Sequence, residues 1–482
     1  QTGAPCSVVN GFKGNHVPSD VIGATISGGG GTSFPNIVLL DYGVVGGGKG
    51  NLAGNLSAVG GGFSNDASGI RAFIGGGANN TASRDSAVIG GGYGNIADQS
   101  YTTISGGELN KTSGSWATIG GGSGNIGNGR YATVGGGTHN LAESAYASIG
   151  GGTYNEAGGG NSAIAGGTRN KALGIGSTIG GGSGNRAIGY QSAIGGGLAN
   201  SATGDYSLVS GGRGNQAGIA NSDPEVARYA TVGGGYENIA AGAFSVVPGG
   251  LANYALGEYS LAAGNRARVE PDHPGTFVFA DSSDYPFSSS SANEFAARAT
   301  GGVRFVTAVD ESGAPMAGVR LGAGSGAWES LSDRNAKSSI QYVDVRQVLE
   351  AVKGLPISTW RYSGQAESVR HMGPMAQDFY AVFDLGQDER YISTVDADGV
   401  ALASIQGLYQ LLQEKDAQII ALQAENLSQG QQLADMDARI TALEKHSFES
   451  GAQINWYLAM GAALLLGVML GRGERFYSKV RR

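Results

Sequence analysis

"YATVGGGTHNLAES" (Tyr131–Ser144) is one copy of a unit that returns along much of the chain. Close relatives are "WATIGGGSGNIGNG" from Trp116 and "SAIGGGLANSATGD" from Ser192. The asparagine of the G-G-G-x-x-N core falls at Asn65, Asn80, Asn95, Asn110, Asn125, Asn140, Asn155, Asn170, Asn185, Asn200 and Asn215, always 15 residues apart. An eight-residue insertion around Asn221–Arg228 moves the next to Asn238, and Asn253 follows at 15 again. Asn51 and Asn36 head less regular units. Within a unit the A-T-V-G segment alternates, so Ala132 and Val134 share one face while Tyr131 and Thr133 share the other. Glycine triplets supply the positive φ of tight corners. Such a unit is too short for a helix pair and suits one coil of a β-solenoid. Roughly fifteen coils stacked at ~4.8 Å would make a rod of roughly 70 Å. Its inward residues are small or β-branched, so the lumen is thin. Packing several chains side by side is the expected remedy.

Composition agrees. Gly accounts for 88 of 482 residues, about 18% against a usual ~7%. The absence of a Gly-X-Y period excludes collagen, and Val and Ile recurring on schedule exclude Gly-rich disorder. A net charge of −8 gives no reason to expect a nucleic-acid partner. Cys6 is the only cysteine, so no intrachain disulfide forms. Gln1 stands where a Met would open a chain, consistent with removal of a leader or with trimming.

No cofactor or metal is expected. Calcium-binding nonapeptide rolls need an Asp that almost every coil lacks. The Gly-rich turns are followed by no helix and end in no Lys-Ser/Thr, so they do not cradle phosphate. A partial Thr column (Thr103, Thr118, Thr133, Thr178, Thr231) suggests an ice-binding face, but Ala163, Ala193 and Leu208 interrupt it. The "SAIGGG" and "NSATGD" elements resemble the S-x-A-I-G and N-x-A-x-G repeats of trimeric autotransporter adhesin heads. That resemblance covers roughly residues 40–268 and implies a trimeric left-handed β-roll. The exposed Tyr column is compatible with a surface glycan or a protein as ligand of the fibre.

Past Arg268 the repeat stops. "FVFA" and "VRFVTAV", separated by Ser-rich turns, read as a β-meander neck, and "ANEFAARATGGVRF" is similar to necks of phage tail-fibre-type proteins. Asp281, Asp284 and Glu294 read as turn and surface acids rather than catalytic ones. From Asn335 the pattern turns to mixed helix and strand. "VDVRQVLEAVKGLP" is an amphipathic helix, "ISTWRY" a strand, and "HMGPMAQDFYAVF" a turn into another helix. A heptad run follows, with Ile405, Leu412, Ile419, Asn426, Leu433 and Ile440 at a and Leu408, Lys415, Leu422, Gln429, Met436 and Leu443 at d. Asn426 and Gln429 form a polar layer of the kind that sets register and oligomer state. Trp456–Leu470 is almost wholly apolar and near the lower length limit for a bilayer span. Trp456, Tyr457, Phe476 and Tyr477 flank it like interface belts, and Arg472, Arg475, Lys479, Arg481 and Arg482 would place the C-terminus in the cytoplasm.

"LSDRNAKSSI" (Leu331–Ile340) opens this module. Taken alone, Ser332 reads as a helix N-cap. On one continuous helix Ser332 and Lys337 would lie about 140° apart, so the pair needs a turn between them or a neighbouring chain. "LSDRNAKSSI", then "GPMAQDFY", then "VDADGVALASIQGLYQ" leading into a coiled coil, resembles the intramolecular chaperone auto-processing domain, family 74 of the serine peptidases. That family closes phage endosialidase tailspikes and occurs in myelin regulatory factor. The resemblance covers about residues 330–445. It implies Ser332 as nucleophile, Lys337 as its base and cleavage between Leu331 and Ser332. A serine hydroxyl needs a base, and lysine serves when burial favours its neutral form. Asp333 and Arg334 read as structural, and His371 as a packing residue.

The expected order is irregular N-terminal coils (1–40), β-solenoid repeats (41–268), β neck (269–330), α/β chaperone module (331–402), trimeric coiled coil (403–447), linker (448–454), transmembrane helix (455–471) and basic cytoplasmic tail (472–482). The reading is a membrane-anchored, single-pass homotrimer. Its fibre is periplasmic or extracellular, and the chaperone module cuts it free. The alternative is an uncleaved surface adhesin or structural fibre with an inactive dyad. A glycan-hydrolysing tailspike is disfavoured, because the repeats offer no facing pair of acids.

Overall fold

The computed structural model describes residues 6–219 and 223–449. They divide into two units, 1–304 with 320–329, and 305–319 with the residues from 330 onward.

The first unit is a β-solenoid. In each coil the alternating segment becomes a two-residue strand that pairs in parallel with its equivalents one coil away. Thr133–Val134 lies between Thr118–Ile119 and Ser148–Ile149. A second strand follows the asparagine, and Leu141–Ala142 lies between Ile126–Gly127 and Glu156–Ala157. A single bridging residue makes the third side, as in Ser123–Thr138–Thr153. The inner position of the first strand is an Ile or Val column (Ile104, Ile119, Val134, Ile149, Ile164), and that of the second is chiefly Ala, all essentially buried. One branched side chain facing Ala fills the lumen, which is as thin as the residues dictate.

Asparagine holds the coils in register. Asn155 Nδ2 donates to the carbonyls of Gly151 and Gly167 at 2.9 Å each. Its Oδ1 accepts from the amide of Asn170 at 3.0 Å. The same pattern repeats through Asn253, whose Oδ1 takes the Ala267 amide. It begins at Asn15, whose Oδ1 accepts from the Asn36 amide. Across the insertion Asn238 N–H bonds directly to Asn215 Oδ1, so the ladder continues unbroken. A buried amide that uses both donors and its acceptor leaves no polar group orphaned.

The corners carry an unexpected load. Tyr101, Trp116, Tyr131, Tyr146, Tyr206, Tyr229, Phe244 and Tyr259 all have φ between 54° and 64°, a conformation costly for L-residues. Each is tied back to the preceding coil, as Tyr131 N–H is to Ser115 C=O at 3.0 Å. The rings stack at 5.0–5.3 Å from Tyr101 through Tyr146, which recovers part of the cost.

Parallel stacking runs past residue 268. Phe277–Ala280 pairs in parallel with Leu261–Gly264 and with Phe295–Arg298. The difference from a meander is physical: Val278 and Ala280 point inward and are completely buried, continuing the lumen. A separate three-stranded sheet comprises Val303–Val309, Pro315–Leu321 and Trp328–Ser330. Asp281 closes the stack, accepting from Thr300 N and Oγ1, Ser283 N and Arg298 Nε.

In the second unit Asp344 caps helix α1 (Val345–Gly354) by accepting from the Arg346 and Gln347 amides. Ser358–Trp360 pairs antiparallel with His371–Gly373, and helix α2 is Ala376–Phe383. Helix α3 (Thr394–Glu449) is 56 residues long. Gly407 lets α1 approach α3 closely, since a Cβ there would stand 2.3 Å from Val345 O. Arg346 Nη2 reaches Glu414 Oε2 at 3.1 Å. Leu355, Phe379 and Val400 form the small buried cluster of this unit. The seam residues Ile405, Leu408, Leu412, Ile419 and Leu422 are exposed in the single chain.

The membrane reading is corrected. No helix among the described residues is long and apolar enough to cross a membrane. Only α3 has the length, and its polar and charged residues, Glu414, Lys415, Asp416 and Glu425 among them, leave no apolar span. The transmembrane helix expected at 455–471 lies outside the described residues. The single-pass placement, with its cytoplasmic tail at 472–482, is withdrawn with it.

Two outcomes follow from these contacts. Asn155→Ala removes the three bonds described above and leaves the Gly151 carbonyl and the Asn170 amide without them, while Gly167 C=O keeps the Thr153 amide, and should lower stability by about 3 kcal/mol in urea unfolding followed by circular dichroism. Exposed Lys111→Ala on the same solenoid should change it by less than about 0.5 kcal/mol. Hydrogen bonds from Thr300, then Ser283 and Arg298, hold the Asp281 carboxyl well below its ordinary value of 3.8. Because the folded form favours the carboxylate, its contribution is complete above that ordinary value and fades as pH falls below it. The stability gap between wild type and Asp281→Asn should therefore be constant near neutrality and narrow on acidification.

Candidate active site

The site starts where strand Trp328–Ser330 ends. The next backbone amide, Leu331 N–H, donates to Gly318 C=O at 3.0 Å, which fixes the residue ahead of Ser332 against strand Pro315–Leu321. The chain then turns. Asp333 is the N-cap of a short 3-10 turn, Arg334–Ala336, and its Oδ1 accepts from Asn335 N at 2.8 Å. Ala336 N–H bonds to Asp333 C=O and Lys337 N–H to Arg334 C=O, each at 3.2 Å. Lys337 itself is extended, with φ −118°.

This tight turn solves the spacing problem posed by five intervening steps. A 3-10 turn advances the chain by three residues per revolution rather than 3.6, and the extended residue after it swings the Lys337 side chain back. Its Nζ lies 2.6 Å from Ser332 Oγ. Both side chains are exposed in the single chain. Ser332 is not the cap, because Asp333 takes that role with the shorter reach to Asn335. The Asp-x-Asn signal was in the sequence and is the ordinary signature of such a turn. The bond between Leu331 and Gly318 had no sequence signal, since it joins residues through backbone alone.

Other candidate groups have other occupations. His371 packs its ring against Trp360 at 4.8 Å and Tyr362 at 5.7 Å, and its Nε2 meets Gln365 Oε1 at 2.9 Å. Asp284 pairs with Arg266 at 2.6 Å, and Glu294 accepts from Ser290 N and Oγ, which lowers its pKa. These acids serve the solenoid's end, as their turn-rich surroundings suggested.

Residues 332–385 match the family Peptidase_S74, chaperone of endosialidase. The match opens at Ser332 and takes in the 3-10 turn, α1, the two paired strands and α2. It agrees with the C-terminal resemblance drawn from the sequence motifs. No curated protein matches the chain.

Proposed function

We propose that this chain is a tail-fibre-like homotrimer whose C-terminal module templates assembly and then cuts itself from the β-solenoid between Leu331 and Ser332. The observation that carries the reading is the 2.6 Å approach of Lys337 Nζ to Ser332 Oγ at the residue where the chaperone-family match begins.

In this reading Ser332 Oγ attacks the Leu331 carbonyl carbon while Lys337 takes the hydroxyl proton. A C–O bond forms, the C–N bond breaks, and the proton passes to the departing Ser332 amine. Water then hydrolyses the ester, leaving a carboxylate on Leu331 and restoring the Ser332 hydroxyl. A lysine in water is protonated at neutral pH and accepts nothing, whereas burial favours its neutral form. In one chain Lys337 is exposed. Neighbouring copies, drawn together by the α3 seam, supply the cover, so the cut waits for assembly. The coiled coil over 403–447 and the fibre–module boundary at 331 belong to this proposal.

The same exposure favours a second reading, an uncleaved structural fibre with an idle pair, and one experiment separates the two. Expressed wild-type protein should resolve on a denaturing gel into residues 1–331 and the chain from 332, with Edman sequencing of the smaller piece giving Ser-Asp-Arg-Asn. Ser332→Ala and Lys337→Ala should stay whole, with cleavage reduced by more than about 100-fold. Charged replacements at Ile419 and Leu422 should block the cut by blocking assembly. A different N-terminus would remove Ser332 from its role, and assembled wild type that never cuts would leave the uncleaved fibre.

A further inference from the structure

The cleavage reading leaves open what holds Lys337 against Ser332. We infer that Asp333 is the positioning residue of the cut: its side chain caps the 3-10 turn that returns Lys337 to Ser332, and it acts by hydrogen bonding rather than by charge. The inference rests on the proteolytic reading above.

Lys337 reaches Ser332 through a long, exposed side chain, which loses rotamer entropy when it is held there. Their meeting therefore depends on the backbone between them. That backbone is fixed by three hydrogen bonds: Asn335 N–H to Asp333 Oδ1 at 2.8 Å, Ala336 N–H to Asp333 C=O at 3.2 Å and Lys337 N–H to Arg334 C=O at 3.2 Å. The first is the shortest and the one formed by a side chain. No ion pair joins Asp333 to Arg334 or Lys337 among the described residues, so its carboxylate serves as an acceptor. Upstream, Leu331 is held separately by Gly318, so changes at Asp333 act on the lysine side of the bond. A cap needs an oxygen with this reach, and asparagine supplies one as well as aspartate does.

The test compares Asp333→Ala with Asp333→Asn in the full chain, following the rate of self-cleavage across pH. Asp333→Ala should slow the cut by at least about five-fold, the factor that loss of an ordinary cap carries. Asp333→Asn should restore the wild-type rate with the wild-type pH profile. Paired with Ser332→Ala, which keeps the chain whole, hydrogen exchange over residues 332–338 should speed up with Asp333→Ala and not with Asp333→Asn. An Asp333→Asn protein as slow as Asp333→Ala, or one with a shifted pH profile, would show that charge matters and overturn the inference. Wild-type cleavage speed in Asp333→Ala would overturn it too, while leaving the proteolytic reading standing. Assembled wild type that does not cut overturns both.

Discussion

The buried asparagine amide is the interaction on which the fibre depends. Asn155, like its equivalents, donates to two glycine carbonyls and accepts the amide of the next asparagine, so a single side chain ties its own coil to the next. Aspartate could not replace it, since it has no donors and would bring a charge into the lumen. Register then follows without further specification, and that register forces like residues into columns. The aromatic corners stack because the ladder has already placed them one coil apart. The insertion near residue 223 is tolerated because Asn238 finds Asn215 across it. A rod built this way gains each coil from its neighbours and needs no large core.

The second unit has the opposite character. Its buried cluster is Leu355, Phe379 and Val400, while Ile340, Val343, Ile357, Tyr391 and the seam of α3 stand in solvent. Exposed apolar surface of this extent, on a long helix with heptad spacing, asks for copies of the same helix. A module that is incomplete alone and complete when assembled suits the task proposed for it. In the proposed reading the Ser332–Lys337 pair shares that incompleteness, its geometry present in one chain and its cover supplied by the others.

Much of this was legible in the residues. The fixed Asn spacing and the alternation around Val134 led to the solenoid, and the motif order after Leu331 led to the chaperone family. What escaped had physical reasons. Asn15 starts the ladder from outside any G-G-G-x-x-N unit, so periodicity could not find it. Residues 276–298 lack the glycine triplets, yet Val278 and Ala280 keep the inward pattern and the stack continues. The cap fell to Asp333 rather than Ser332 because a 3-10 turn, not an α-helix, begins there. The membrane reading leaned on the composition of one apolar stretch and its flanks, a local signal that no pairing or periodicity elsewhere in the chain supported.

The most direct measurement is the rate of self-cleavage against chain concentration during refolding from denaturant. Cleavage licensed by assembly predicts a rate that climbs with concentration and a cut that lags behind trimer formation. A rate independent of concentration down to the most dilute sample, with cut chains appearing as monomers, would contradict it.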